Sequence, residues 1–138
     1  MKVMHMRWEG APVPYTRMTR KSKWVDEAAK KYLDYKHQFS DAIRKHFPDW
    51  QLPPRPKHDK KADKLWLKEQ KKITYGLQMD VWFSRDSGDY SNALKVLEDA
   101  LQGAGVIWDD KMIKRFEGGD SKIDRENPRI EFKFWRLE

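Results

Sequence analysis

Residues 86–110 read DSGDYSNALKVLEDALQGAGVIWDD, with Asp86 and Asp89 ahead of a helical stretch and Asp109 and Asp110 behind it. Carboxylates are the hard oxygen donors that Mg²⁺ takes, usually with several waters retained. A cation held this way activates a water and neutralises phosphoryl oxygens, the chemistry of phosphodiester hydrolysis. Lys95, about one turn into the helix, would face the same pocket and hold a phosphate or steady a developing charge. The spacing allows this if a strand–helix–strand unit brings Asp89, before the helix, and Asp110, after it, to one edge of a sheet. Plainer uses exist for the same residues. Aspartate is a frequent helix N-cap, Asp-Asp is an ordinary turn, and Asp99 can pair with Lys95 at i, i+4. Spacing alone leaves both readings open.

The elements that must position these residues follow from periodicity. Met4, Met6 and Trp8 alternate with His5 and Arg7, a short strand ending at Gly10. GAPVPYTRMTRKSK follows as a proline-ordered loop, and its Arg17, Arg20, Lys21 and Lys23 are candidate phosphate contacts. From Ser22 a helix is predicted, with Ala28, Tyr32, Tyr35, Phe39, Ile43 and Phe47 on its inner face and Pro48 as its stop. Residues 48–72 are rich in proline and lysine, and only Leu65, Trp66 and Leu67 are apolar in their second half. That is too little for a buried helix, so a solvated insertion is predicted, with a basic arm as the other option.

Unbroken alternation from Ile73 to Phe83 predicts a strand with one apolar face. A second helix opens near Ser91, capped by Asp89 or Ser91, with Leu94, Leu97, Ala100 and Leu101 inside and Gly103 at its end. A strand or turn runs through Met112, Ile113 and Phe116, GGDSKIDRENP is a predicted loop, and Ile130, Phe132 and Phe134 mark a last strand. The order predicts an α+β fold, a mixed sheet packed against helices, within a single domain over 1–138.

Composition narrows the partners. The net charge is +7 and cysteine is absent, which excludes disulfides and thiolate metal sites and suits a reducing cytoplasm. Residues 1–75 carry 19 Lys and Arg against 9 Asp and Glu, whereas 76–138 carry 10 against 13. A basic half to hold phosphates beside an acidic half to hold a cation fits a nucleic-acid partner. No apolar run approaches membrane length. His5, His37, His46 and His58 lack metal-ligand spacing, and no Gly-rich phosphate loop is present.

GDYSNALKVLEDALQGAGVIWDD resembles the core motif of the RusA-type Holliday junction resolvases, D-x-[D or S]-N-x-x-K followed by D-A-L and a D-D pair. Asp89, Asn92, Lys95, Asp99-Ala100-Leu101 and Asp109-Asp110 fall in register, and EGAPVPYTR is similar to the family's opening strand and G-x-P-x-P basic loop. The resemblance covers most of the chain outside the 48–72 insertion. It implies a RusA-like fold and a homodimeric, Mg²⁺-dependent endodeoxyribonuclease, with Mn²⁺ as a substitute ion, cutting four-way DNA by symmetric nicks in recombination and repair. A prophage or phage source would suit so compact a resolvase.

By the same resemblance Asp89, Asp110 and Lys95 are catalytic, and Asp89 and Asp110 are Mg²⁺ ligands. Asp109 is an adjacent ligand or orienting group, and Asn92 orients the ligands. The chain departs from the family's best-known members at Ser91, where a second aspartate stands in the motif. A hydroxyl is a poorer Mg²⁺ ligand than a carboxylate, so Asp86 or Asp109 is the candidate replacement. Without one, the alternative is a DNA-binding protein that keeps the fold and recognises junctions without cutting them.

Overall fold

The computed structural model describes residues 2–16, 27–86 and 88–137. Strand β1, Val3–Glu9, buries Met4 and Met6 on one face and leaves Val3, His5 and Arg7 exposed on the other. Gly10 ends it at φ +110°, a conformation that costs a residue without Cβ little. Helix α1, Glu27–His46, carries Glu27 in its first turn and Arg44, Lys45 and His46 in its last, as the helix dipole favours. Its inner face is Ala29, Tyr32, Phe39 and Ile43, with Ala29 rather than the exposed Ala28 turned inward. The start near Ser22 lies outside the described residues. Phe39 anchors α1 to the sheet, stacked on Trp8 at 5.0 Å and tilted on Phe132 at 6.1 Å.

The alternation from residue 73 becomes β2, Thr74–Phe83, with Tyr75, Leu77, Met79 and Val81 buried. Helix α3, Tyr90–Gly103, buries Ala93, Val96, Leu97, Ala100 and Leu101. A 3₁₀ turn, Asp110–Met112, leads into β3, Ile113–Glu117. Strand β4, Ser121–Ile123, and strand β5, Arg129–Leu137, complete a five-stranded mixed sheet in the order β1-β5-β2-β3, with β4 also on β2. β5 is antiparallel to β1 and β2, whereas β3 and β4 run parallel to β2. α1 and α3 join through Ser40, whose hydroxyl donates to the Ala100 carbonyl at 2.9 Å, and Arg44, which donates to the Gly103 carbonyl at 2.7 Å. The α+β class and mixed sheet are as predicted.

Two predictions need correction. GGDSKIDRENP is not all loop, because β4 forms inside it on backbone pairing alone, Val81↔Ser121 to Phe83↔Ile123, with all three β4 side chains exposed. The lysine-rich part of the insertion is helical. Helix α2, Lys60–Gln70, is capped by Asp59, whose carboxylate accepts from the Ala62 amide at 3.1 Å. Few apolar residues suffice there because specific side-chain contacts hold it. Trp66 donates to the Pro53 carbonyl at 3.1 Å, and Arg55 grips Asp63 through two bonds of 2.6 and 3.1 Å.

Candidate active site

The β2–α3–β3 unit sets where the acidic residues go. β2 and β3 are parallel, so α3 starts beyond the end of β2 and the chain must return to the start of β2 before Ile113 pairs with Tyr75. Asp89 therefore stands at the start of α3, while Asp110 follows the helix and comes within 3.9 Å of the Lys95 ammonium. Two stations can be described, one at the Asp89 cap and one where Lys95 meets Asp110.

At the first station Asp89 is the N-cap, and its Oδ1 accepts from the amides of Ser91 at 2.8 Å and Asn92 at 3.4 Å. It lines a cleft of about 470 Å³ with Asn92, Arg85, Lys31 and the Ala11–Pro14 loop. Gly88 lies flat against Phe83, where an added Cβ would meet the ring at 2.2 Å, so the turn into Asp89 needs glycine. Ser91 is exposed on the first turn. Asp86 opens into a neighbouring cleft with Ser121, Lys122 and Ile123.

At the second station Lys95 Nζ is 3.9 Å from Asp110 Oδ2 and 5.6 Å above the Tyr15 ring. Tyr15 meets Tyr32 edge-on at 5.3 Å, and the Tyr32 hydroxyl donates to Asp99. Asp99 thus bonds Tyr32 rather than Lys95, and burial with that bond holds the Tyr32 phenol protonated well above its usual range. Glu98, one turn after Lys95, is half-buried. Burial first, then the negative charge of Asp110, pushes its carboxyl up to about 7, with Lys95 opposing. Asp109 caps the 3₁₀ turn by accepting from the Lys111 amide at 2.8 Å, and that bond holds its carboxyl below the usual range.

Sequence reasoning missed Tyr15, Tyr32 as a hydrogen-bond donor, and Glu98. The i, i+3 spacing of Lys95 and Glu98 was the available signal for the last. The candidate phosphate contacts Arg17, Arg20, Lys21 and Lys23 lie outside the described residues.

The donors suit a hard divalent cation. Asp110 is faced by an ammonium beyond hydrogen-bonding distance, and the Glu98 carboxyl, raised first by burial, is raised further by the negative charge of Asp110. Among the described residues no three carboxylate or imidazole side chains gather as a ready ligand set. Mg²⁺ is commonly held by one or two carboxylates, with water and substrate oxygens filling the rest of its shell.

Carboxylates and a lysine beside clefts of mixed charge on a mixed sheet fit a class, the hydrolases that act on phosphodiesters. The family model described as Endodeoxyribonuclease RusA matches residues 9–134 of this chain, and the chain belongs to that family. It is an endodeoxyribonuclease of the Holliday junction resolvase kind. No curated protein matches the chain at a significant level. No helix among the described residues is long and apolar enough to cross a membrane.

Proposed function

We propose that this nuclease resolves Holliday junctions by paired symmetric nicks, acting as a homodimer of one nuclease unit per chain and depending on Mg²⁺. The observation that carries the reading is the Lys95–Asp110 pair at 3.9 Å on the helix that Asp89 caps, in a chain matched to the RusA family over 126 residues. Asp89 and Asp110 supply the oxygens that would hold the ion, and Asp109 steadies Asp110 from the adjoining position. When bound, Mg²⁺ supplies an activated water and neutralises the non-bridging phosphate oxygens, and Mn²⁺ can substitute.

Lys95 is held ready by the Tyr15 ring on one side and Asp110 on the other, so its ammonium can pass to a phosphate oxygen without a search through rotamers. Asn92, on the first turn, orients Asp89 and the substrate backbone. Ser91 brings a hydroxyl where the motif has a carboxylate, and Asp86, in the neighbouring cleft, or Asp109, beside Asp110, is the candidate replacement. Glu98 stands in the field of Asp110. The basic loop with Arg17, Arg20, Lys21 and Lys23 grips the DNA backbone. A two-fold dimer matches a two-fold junction, giving one nick on each of two opposed strands.

A mobile four-way junction incubated with the protein and Mg²⁺ tests this. Symmetric nicks are expected from the wild type, and Asp89→Asn and Asp110→Asn should each cut at a rate lower by about 100-fold or more while still binding. Persistent nicking by Asp110→Asn would remove the site. Tight binding without nicks by the wild type, in any divalent cation, would remove the activity.

A further inference from the structure

Helix α2 presents a cationic face that the nuclease site does not use. At 3.6 residues per turn, Lys60, Lys61, Lys64 and Lys68, followed by Lys71 and Lys72 just past the helix end, fall within an arc of about 120°. All six are exposed, and among the described residues only Lys72 has an acidic partner, Glu69 at 3.4 Å. The acid on the opposite face is consumed internally, since Asp63 is gripped by Arg55, whose guanidinium also lies 5.6 Å from the Trp66 ring. That contact and the Trp66 bond to Pro53 turn Trp66 toward the Pro53–Arg55 stretch, Gln70 is buried, and the lysines face solvent.

The stripe leads somewhere. Lys71 lines a cleft of about 460 Å³ with Trp108, Asp109, Lys111 and Lys114, next to Asp110. Lys60, Lys64 and Lys68 step by about 6 Å along the helix, and duplex DNA offers a phosphate on each strand every 3.4 Å or so of its axis.

We propose that α2 is a duplex-gripping arm. Lys60, Lys61, Lys64 and Lys68 hold the phosphate backbone of one DNA arm, and Lys71 directs that arm toward the Asp109–Asp110 turn. The contact reads charge and not base sequence, because exposed lysines on one helix face carry no pattern that would match base edges. The inference rests on the reading of the chain as a DNA-junction nuclease, and it adds the surface that positions one arm.

The test measures binding of the full chain to a four-way junction with arms longer than two helical turns, in the Asp110→Asn background. Salt is varied from about 50 to 200 mM, so that the slope of log affinity against log salt counts phosphate contacts at about 0.9 each. The variant carrying K60Q, K61Q, K64Q and K68Q should lose about two to four units of slope and bind at least about tenfold more weakly at the upper salt. The companion variant with arginine at the same four positions keeps the charge and should return the slope to wild type. Circular dichroism confirms that both retain their helix content. A glutamine variant with wild-type slope and affinity overturns the arm while leaving junction recognition intact. A wild-type chain that binds no junction at any salt overturns the functional reading and the arm together.

Discussion

The β2–α3 body and the 48–72 insertion are both folded, but by different means. In the body, an alternating strand and a helix with Leu97, Ala100 and Leu101 fully buried share one apolar interior with Ile130, Phe132 and Phe134. In the insertion, helix α2 buries only Gln70 and is held by an aspartate cap, an Arg55–Asp63 pair and one indole bond. Burial of apolar area is the large, non-directional term, whereas exposed ion pairs contribute about 0–1 kcal/mol each. The body can hold side chains at fixed separations, and the insertion can present charge. The proposed chemistry sits on the first, and the proposed grip on DNA sits on the second.

The largest expected break in that contrast is Phe132→Ala. Phe132 is 1% exposed and packs on Phe39, so truncation should cost about 3–5 kcal/mol. A fall in Tm of about 10 °C or more follows for a chain of this size, and calorimetry measures it. A fall of only a few degrees would mean that the body is not held as described.

A smaller effect sharpens the comparison from the site's side. Glu98 titrates near 7 in the folded protein, above the ordinary value of 4.5. The folded state therefore binds this proton more tightly than the unfolded state. Its effect on stability is absent below about pH 4.5 and grows unfavourable as pH rises through 7. Glu98→Gln should leave stability at pH 4 unchanged and raise it at pH 8 by about 1 kcal/mol, after allowing for solvent screening of a half-exposed group. Denaturant melts at the two pH values in metal-free buffer check the sign, and equal shifts at both would refute the charge account.

The smallest global effect should come from Asp59→Ala. Loss of this cap costs α2 about 1 kcal/mol, enough to speed amide exchange in the helix about fivefold. Exchange in β2 and β5 should not change, and the Tm should move by about 1 °C or less. Parallel loss of protection in the sheet would show that the insertion is part of the body after all.

Legibility in the sequence followed the same division. β2 could be read because period-two alternation is what a sheet with one buried face imposes on Tyr75, Leu77, Met79 and Val81. α3 could be read from its cap and its apolar stripe. α2 could not, because what fixes it is Arg55 with Asp63 and Pro53 with Trp66, pairs eight and thirteen residues apart that follow no period. β4 escaped because backbone pairing to β2 leaves no mark on three exposed side chains. At the site, the role of Asp89 as cap was visible. Tyr32 was read as core, which its burial bears out, but its hydroxyl bond to Asp99 depends on a helix pairing that only the fold supplies. Likewise, no spacing rule brings Asp110 to Lys95, fifteen residues back, and only the return of the chain after α3 does so.

The placement of β5 between β1 and β2 has a consequence for how the nuclease is made. β1 emerges first from the ribosome but has no strand to pair with until β5, the last in chain order, has been synthesised. Met4 and Met6 must wait for the strand that pairs with β1, and the sheet beneath α1 and α3 stays open until β5 is made. Pairing at such long sequence separation is slow to form, so no growing chain short of β5 can hold this sheet together. A DNA-cutting protein built in this order cannot complete its sheet before β5 has been made.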